Sequence, residues 1–391
     1  MIKEFWGYPR ADGKVGTRNK VLVLATVHCS YVPAREIAKF EPSAVAVTHY
    51  WNCRSTGEGQ EMVVNCLVEI CKHPNIGAVL LVGQGCEEIS VSLLSERVSD
   101  SGKPCGTIVC QDEGSIRAIE RGRELLTDLV EKTAAEERKK VSVNNLKVAL
   151  QCGASDFSNG LFSHRAVGTA VDRLIEAGAT IIFSEVGELI GTEDMLEERA
   201  TTRTVAQKVR SAIEDERKRW MSPQRSFSSH GDHGNVRGGL STIEEKSGGA
   251  VVKSGSKAIQ GVLEYSVKRI EKPSMPGLYL QNQDGYGSDV GSITAMAAAG
   301  AQIAVFATGS GTIVGHAIIP VYKVTANEET YSRMKDNIDY FVTPVDNYLR
   351  DSYDEEGIQI LKRIIRVASG TQTKAEELGQ DDFAVLRINP V

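Results

Sequence analysis

Short continuous apolar runs alternate with amphipathic segments along most of this chain. The runs predict strands at 20–27, 44–48, 78–82, 107–109, 146–150, 179–185, 277–280, 302–306 and 321–325. The segments between them predict helices at 32–40, 56–72, 87–98, from 116 onward, and at 192–219, 289–299 and 328–337. Strands that are apolar throughout are typical of parallel sheets buried on both faces. The pattern predicts an α/β protein of two Rossmann-like domains with mainly parallel sheets.

A charged segment marks the predicted domain boundary. The long helix that begins near Ile116 ends in the run EERKKV at 136–141, which is typical of a solvated face and linker. A new strand follows at 146–150. We therefore predict a first α/β domain at 1–142, opened by an arm of the form GYxRxDGxxGTRN. A second, larger α/β domain with Gly-rich loops is predicted at 143–391.

Cysteines lie at or just past the carboxyl ends of five predicted strands. They are Cys29, Cys53, Cys86, Cys110 and Cys152. Ligands of open α/β sheets bind at these strand ends, so parallel strands would bring the thiols to one rim. The alternative is that each cysteine is a small buried hydrophobic residue. Our candidate metal ligands are Cys29, Cys53 and Cys86, with Cys152 next.

Polar residues near the same strands could handle an anionic substrate. Arg18 is a candidate carboxylate clamp, because a guanidinium binds planar anions through two parallel hydrogen bonds; the alternative is a structural ion pair with Asp12. Asn19 and Lys246 are further anion-binding candidates. The candidate catalytic residues are His49, Glu185 and Lys246, of which His49 and Glu185 are chosen as bases for their strand-end position.

Two glycine-rich stretches are candidate binding loops. The turn at 308–312 follows a strand, and its amides could cradle an anion, with Thr308 and Gly309 as contacts; its spacing fits neither a Walker nor a Rossmann fingerprint. The stretch at 222–239 is long enough for a lid or binding loop. We interpret its His230, Asp232, His233 and Asn235 as a substrate loop rather than a metal site. His164 is interpreted as a hydrogen-bonded structural histidine.

Composition narrows the possible partners and location. The 391 residues include 45 Lys and Arg against 51 Asp and Glu, for a net charge of −6, which argues against nucleic acid or an anionic membrane as main partner. A local basic pocket for an acidic metabolite stays compatible with that balance. With no apolar stretch of membrane-spanning length and no signal peptide, we expect a cytoplasmic protein with free thiols.

Motifs along nearly the whole chain resemble those of the altronate/galactarate dehydratase family. They are the arm at 7–19, then 84–87, 151–156, 183–185, 238–247, 284–286, 308–312 and 323–327. The resemblance implies a lyase that dehydrates a hydroxy acid of the altronate/galactarate type to a 2-keto acid. It also implies iron, and thiolates suit both Fe²⁺ and an iron–sulfur cluster.

Departures from the family pattern leave the substrate open. Ser310 stands where the family commonly has Arg, and HGDH at 230–233 replaces the usual start of the loop, which suggests a different or smaller acid.

A related branch releases sulfite from sulfolactate and works as two subunits. Without the small amino-terminal domain, we expect a large subunit that needs a small SAF-type subunit, in an oligomer; the 222–239 loop could otherwise cover the site. The alternative from another class is a non-catalytic metal or thiol scaffold subunit.

Overall fold

The computed structural model describes residues 2–53, 57–220, 233–283, 288–345 and 353–386. The strands are β1 Glu4–Pro9, β2 Val15–Gly16, β3 Lys20–Ala25, β4 Ala44–Val47, β5 Ile76–Gly83, β6 Cys105–Val109, β7 Lys139–Ser142, β8 Lys147–Gly153, β9 Thr180–Phe183, β10 Ile259–Tyr265, β11 Gly277–Gln283, β12 Ile303–Thr308, β13 Val321–Thr325 and β14 Tyr340–Phe341. The helices are α1 Tyr31–Ala38, α2 Glu58–Cys71, α3 Val91–Ser99, α4 Cys110–Glu113, α5 Ser115–Ala134, α6 His164–Glu176, α7 Glu193–Glu197, α8 Arg203–Trp220, α9 His233–Arg237, α10 Ile243–Val252, α11 Asp289–Ala298, α12 Glu328–Arg333, α13 Asp354–Ala368 and α14 Lys374–Glu377.

Two parallel sheets carry the fold, which confirms the predicted α/β class. The first has the order β4-β3-β5-β6 and the second the order β10-β11-β9-β8-β12-β13-β14, with every pair parallel. Their central strands are buried along almost their whole length, with Lys147 at the start of β8 partly exposed, as the apolar runs require. The predicted division at residue 142 lies between these sheets and stays a prediction.

The arm joins the two sheets at the amino ends of their strands. It forms a small antiparallel sheet of order β2-β1-β7 and then enters β3. Thr17 donates from its hydroxyl to the carbonyl of Gln302, and Asn75 donates to the same carbonyl, so residues before β3, β5 and β12 meet at one point. The arm is therefore part of the framework at this end of the molecule.

Helix α2 lies between the sheets and shows how they are oriented. Asn65, near its middle, donates to the carbonyl of Val267 just after β10, and His73, just past its end, bonds to Ala301 just before β12. The helix thus runs antiparallel to the second sheet, as it does to the strands it connects in the first. The carboxyl edges of both sheets therefore lie on the same side of the molecule.

Some predicted elements differ from the structure. The helix expected directly after Cys86 begins at Val91, where Ser90 caps it, so Cys86 is not at a helix N-terminus. The long helix expected at 192–219 is two helices, α7 and α8. Strand β10 was not predicted, since Gly261 and Glu264 interrupt its apolar pattern and its pairing shifts register. Within the described ranges, no helix combines the length and apolar character needed to cross a membrane.

Candidate active site

The second sheet changes winding direction at β8, where a ligand site is expected. The chain passes from β8 to β9 on one side and later returns to place β12 on the other side of β8. Ligands of doubly wound sheets bind outside the carboxyl ends of the strands at such a point. Gln151 and Cys152 at the end of β8, Glu185 after β9 and Gly309 after β12 all lie there.

Glu185 is held in an unusual backbone conformation that turns its carboxylate toward β8. Its φ and ψ are 63° and 48°, in the left-handed region that non-glycine residues seldom adopt. The carboxylate accepts hydrogen bonds from Gln151 Nε2 at 2.7 Å and from the Cys152 amide at 3.1 Å. Such strain persists where surrounding contacts fix it, and it is common at functional sites.

Two lysines from one helix face complete the cluster around Cys152. Lys253 donates to Cys152 Sγ at 2.9 Å and to the Glu185 carboxylate. Lys246, two turns earlier on α10, donates to Glu188 Oε1 at 2.6 Å, and the Cys152 thiol donates to Glu188 Oε2 at 3.2 Å. We call these five residues, Cys152, Glu185, Glu188, Lys246 and Lys253, the Cys152 cluster.

Within the Cys152 cluster, Cys152 and Lys253 are buried, Glu185, Glu188 and Lys246 are partly buried, and two carboxyl groups face two ammonium groups. Burial, reinforced by Glu185 and Glu188, raises the pKa of the Cys152 thiol well above its usual range, so the thiol keeps its proton. Burial opposes charge on Lys253, yet Cys152 and the two carboxylates hold its pKa above the ordinary value. Burial also raises the pKa of Glu185 against the opposing effect of Lys253, which favours a carboxyl that can exchange a proton near neutral pH.

Five buried polar atoms beside this cluster lack a partner among the described residues. They are Gln151 Oε1, Ser155 Oγ, Asn159 Nδ2, His164 Nε2 and Ser247 Oγ. A buried polar atom without a hydrogen bond costs about 1–3 kcal/mol, so their concentration in 151–164 and on α10 indicates a place for a bound polar molecule. His164 Nδ1 faces the Gly249 carbonyl at 2.8 Å and must carry the ring proton, which leaves Nε2 as a lone-pair acceptor. Burial lowers the pKa of His164 to about 3, so the ring is neutral.

Asp156 fixes the turn between β8 and α6. Its Oδ1 accepts from the Ser158 amide at 2.9 Å and hydroxyl at 2.6 Å, and its Oδ2 accepts from Asn327 Nδ2 at 2.7 Å. Gly309 lies against it so closely that a Cβ there would come within 2.6 Å of the Asp156 backbone nitrogen. Gly309, predicted as a substrate contact, is thus the point where β12 and the β8 turn meet.

We expect Gly309→Ala to destabilise the protein by about 1–3 kcal/mol, because the methyl group would overlap backbone that cannot move aside. Gly248→Ala, in α10 of the same site, is the matched control: its Cβ would meet nothing within 4 Å, and helix propensity favours Ala. Urea unfolding of both variants measures the difference. Equal stabilities would contradict the close approach at Gly309.

Several predicted site residues do lie at this edge. Asn235, in α9, accepts from Lys246 Nζ at 3.3 Å and donates to the Ser155 carbonyl at 3.0 Å when its amide is oriented to satisfy both. Thr308 is buried and its hydroxyl accepts from the Gly311 amide, which shapes the turn. The side chain of His233 falls outside the described part of the chain, as do His230, Asp232 and the motif at 284–286.

Arg18 does not lie in this site, so its prediction as an anion clamp is corrected. Its side chain forms a two-bond ion pair with Glu376, and its remaining donors reach the carbonyls of Thr17, Val367 and Thr371. All five guanidinium N–H groups are used, so none is left for a substrate. The alternative, that Arg18 forms a structural ion pair, was correct, although its partner is Glu376 rather than Asp12.

We therefore expect Arg18→Met to lower the free energy of unfolding by about 3–5 kcal/mol, the usual cost of breaking a buried ion pair, without raising KM selectively. Arg35→Met, which removes an exposed pair with Glu36, is the control and should leave the free energy of unfolding nearly unchanged. Denaturant titration and steady-state kinetics supply the two readouts. A raised KM at unchanged stability would instead support the original prediction that Arg18 binds the carboxylate of the substrate.

Asn19 and His49 are also placed away from the Cys152 cluster. Asn19 accepts from Arg10 and donates to the Thr133 carbonyl, so it ties the arm to α5. His49 follows β4 in the first sheet and accepts from the Trp51 amide at 3.2 Å; burial lowers its pKa to about 4. His49 and Glu185 therefore follow strands of different sheets and are not brought together as bases.

The four candidate metal cysteines are not brought together as ligands of one ion. Cys152 lies near the end of β8 in the second sheet, whereas Cys29, Cys53 and Cys86 follow β3, β4 and β5 in the first. Among the residues described, one set of three or more metal-capable side chains has ligand atoms within 4.8 Å of one another, and it is Cys152, Glu185 and Glu188. The three exposed thiols of the first sheet follow neighbouring strands.

Sequence reasoning missed Lys253, Glu188 and Gln151. A signal was available for two of them: Lys246 and Lys253 are seven residues apart, which places them on one helix face, and Glu188 lies three residues after Glu185. Gln151 lies in the motif at 151–156 but was not chosen as a site residue, because an amide at the end of an apolar strand resembles an ordinary strand terminus.

A parallel α/β fold with an acid–base cluster at its switch point defines a protein whose ligand site is expected at that edge. The family described as D-galactarate/Altronate dehydratase, C-terminal, matches residues 143–391, and D-galactarate dehydratase/Altronate hydrolase, second domain, matches 7–134. The chain belongs to the galactarate/altronate dehydratase family.

Three relatives show the range of that family. The (2R)-sulfolactate sulfo-lyase subunit beta of Chromohalobacter salexigens is 30% identical over 99% of this chain and 98% of its own length. The altronate dehydratase of Escherichia coli is 30% identical over 97% of this chain and 76% of its own. Galactarate dehydratase (L-threo-forming) of Escherichia coli is 29% identical over 99% and 77%. By these names the family consists of carbon–oxygen or carbon–sulfur lyases.

Proposed function

We propose that this chain eliminates the 3-substituent of a 2-hydroxy acid to give a 2-keto acid. The observation that carries the proposal is the set of five unpartnered polar atoms around the Cys152 cluster, at the switch point of a chain that belongs to a lyase family. In this reaction a base removes the C2 proton and the bond from C3 to oxygen or sulfur breaks. The substituent leaves as water after taking up a proton, or as sulfite, and the resulting enol tautomerises to the keto acid.

The Cys152 cluster contains groups suited to each part of that reaction. The ammonium groups of Lys246 and Lys253 can bind the substrate carboxylate and stabilise the enediolate charge in a water-poor site. Glu185, whose carboxylate is oriented by Gln151 and the Cys152 amide, is our candidate for accepting the C2 proton. Ser155, Asn159, Ser247 and His164 Nε2 are placed to bond the substrate hydroxyls.

Iron at the Cys152 cluster does not fit the residues present. Lys253 already donates to Cys152 and Glu185, and Lys246 to Glu188, so every ligand atom has a cation beside it. Two carboxylates and two ammonium groups are balanced, and a divalent ion would add two uncompensated buried charges. We therefore assign no metal to these three side chains.

Cys29, Cys53 and Cys86 are our proposed iron ligands, although their three sulfur atoms do not all lie within 4.8 Å of one another, so their loops would have to draw together around the ion. Their thiols are exposed and follow the neighbouring strands β3, β4 and β5. Asn52 ties the loops together, since it donates to the carbonyls of Thr26 and Ile89 and accepts from the Ile89 amide at 2.8 Å. We propose that these thiolates hold the iron. When bound, the iron would supply Lewis-acid chemistry.

We further propose that the chain works as the large subunit of a two-component lyase, with a small SAF-type subunit as partner. The support is the match over 98% of a relative named as a subunit beta. That match also makes sulfite release from sulfolactate the second candidate reaction, beside dehydration of an acid of the altronate/galactarate type.

The test is anaerobic reconstitution of the purified chain with Fe²⁺, with and without the small partner. Altronate, galactarate and sulfolactate are then assayed for 2-keto acid and for sulfite, with Glu185→Gln as the inactive control. We expect one acid to be converted by the pair and not by the control. Conversion of none of the acids, or full activity of Glu185→Gln, would reject elimination at this site.

A further inference from the structure

A lysine-rich cavity lies at the amino ends of the strands, opposite the Cys152 cluster. It has a volume of about 250 Å³ and is lined by residues of both sheets' frameworks. The described lining includes Lys14, Lys72, Lys147 and Lys272 but a single acidic residue, Glu69. In a chain of net charge −6, a lining with four lysines and one acidic residue is a local departure toward positive charge.

Lys147 distinguishes this cavity from a surface of ordinary ion pairs. Lys14, Lys72 and Lys272 each pair with an acidic neighbour, which is Asp12, Asp100 and Glu69 in turn. Lys147 Nζ forms no ion pair with any acidic group in the part of the chain that the structure describes. Burial, and then the charges of Lys272 and Lys14, lower its pKa. The cavity therefore holds positive charge that lacks a counter-ion.

We propose that this cavity binds a compact oxyanion with at least two negative charges, such as a phosphate ester or a polycarboxylate. Ammonium groups bind such ions as point charges and need no fixed planar geometry, which suits four lysines converging from separate segments. The carboxamides of Asn144 and Asn145 and the hydroxyl of Ser274 also line the space and offer neutral hydrogen-bonding groups.

The site is separate from the proposed reaction centre. Lys147 opens β8 and Cys152 lies near its other end, and at about 3.3 Å per residue the two are roughly 17 Å apart. In the cavity wall, the side chain of Gln302 connects β8 to the arm. It accepts a hydrogen bond from the Lys147 amide at 2.6 Å and donates one to the Val15 carbonyl. An anion held by Lys14 and Lys147 would thus bridge the arm and the first strand of the second sheet.

The test is calorimetric titration of the full chain with inorganic phosphate and, separately, with tricarballylate, at constant ionic strength. We expect one saturable site, with the dissociation constant raised about tenfold in Lys147→Gln and unchanged in Lys268→Gln, which removes an exposed lysine outside the cavity. Saturation by phosphate alone would identify a phosphoryl ligand, and saturation by tricarballylate alone a polycarboxylate.

A second measurement keeps the proposal testable if binding is weak. Without ligand, Lys147→Gln should melt at or above the wild-type temperature, because the substitution relieves like-charge repulsion. A lower melting temperature would assign Lys147 a structural role and overturn the proposal. So would the absence of saturable binding by either probe, or equal affinity of the wild type and Lys147→Gln.

Discussion

Lys253→Met should lower kcat by at least about a thousandfold, the largest effect we expect from a single substitution. Lys253 is buried, donates to both Cys152 and Glu185, and supplies one of the two positive charges at the proposed reaction centre. Removal of one oriented charge or donor of this kind typically costs hundred- to thousandfold, and here it also disturbs the proposed base. Steady-state kinetics on the acid identified by reconstitution measure the loss.

The accompanying stability measurement separates catalysis from folding. Lys253→Met alone leaves Glu185 buried without its cation, at a cost of about 3–5 kcal/mol in unfolding free energy. Lys253→Met combined with Glu185→Gln removes both charges and should recover most of that stability while staying inactive. A double variant no more stable than the single one, or a single variant with wild-type kcat, would contradict the pairing.

Cys86→Ser should remove most of the iron from anaerobically purified protein, together with its activity. The reason is that Cys86 is one of three exposed thiols on neighbouring strand ends, and loss of one thiolate leaves too few ligands of the kind iron prefers. Iron per chain and the visible absorption spectrum provide readouts independent of turnover. Cys105→Ser, at the beginning of β6 and therefore at the other end of the sheet, is the matched control and should keep its iron.

Cys152→Ser tests the alternative that Cys152 is an iron ligand. If the proposal is correct, this variant keeps its iron, because Cys152 is a protonated thiol among lysines and not a ligand. If Cys152→Ser lost iron while Cys86→Ser kept it, the metal would belong to the second sheet, and the assignment to the first would be wrong.

The sequence predicted most of the sheets because their strands are apolar on both faces. Runs such as the one at 20–27 can hardly be solvated, and β3, β5, β8 and β12 follow them closely. Strands β1 and β7 were missed because the first contains Gly7 and Pro9, which weaken a strand pattern, and the second carries two lysines. Their pairing depends on contacts more than 130 residues apart in the chain, which no local pattern reports.

The sequence directed attention to the strand ends that carry the Cys152 cluster, but it named only some of the residues of that cluster. Glu185, Cys152 and Lys246 were found because strand ends and the motif at 238–247 drew attention to them. Arg18 was misassigned, since a guanidinium that binds a substrate and one that binds Glu376 are identical in sequence, and the partner is 358 residues away. The sequence identifies which side chains can carry a charge. Only the folded chain shows which of those charges already have a partner within the protein.

The contacts of Arg18 also bear on how this protein folds during synthesis. The residue is translated near the start, yet its carbonyl acceptors at Val367 and Thr371 and its counter-ion at Glu376 emerge near the end. Domains usually begin to fold as they leave the ribosome, and contacts of such long sequence separation form late. In the nascent chain, the amino edge of the first sheet should therefore lack the Arg18 contacts until α14 has been synthesised. Ribosome-bound chains arrested before residue 370 should be more sensitive to protease in the arm than the released protein.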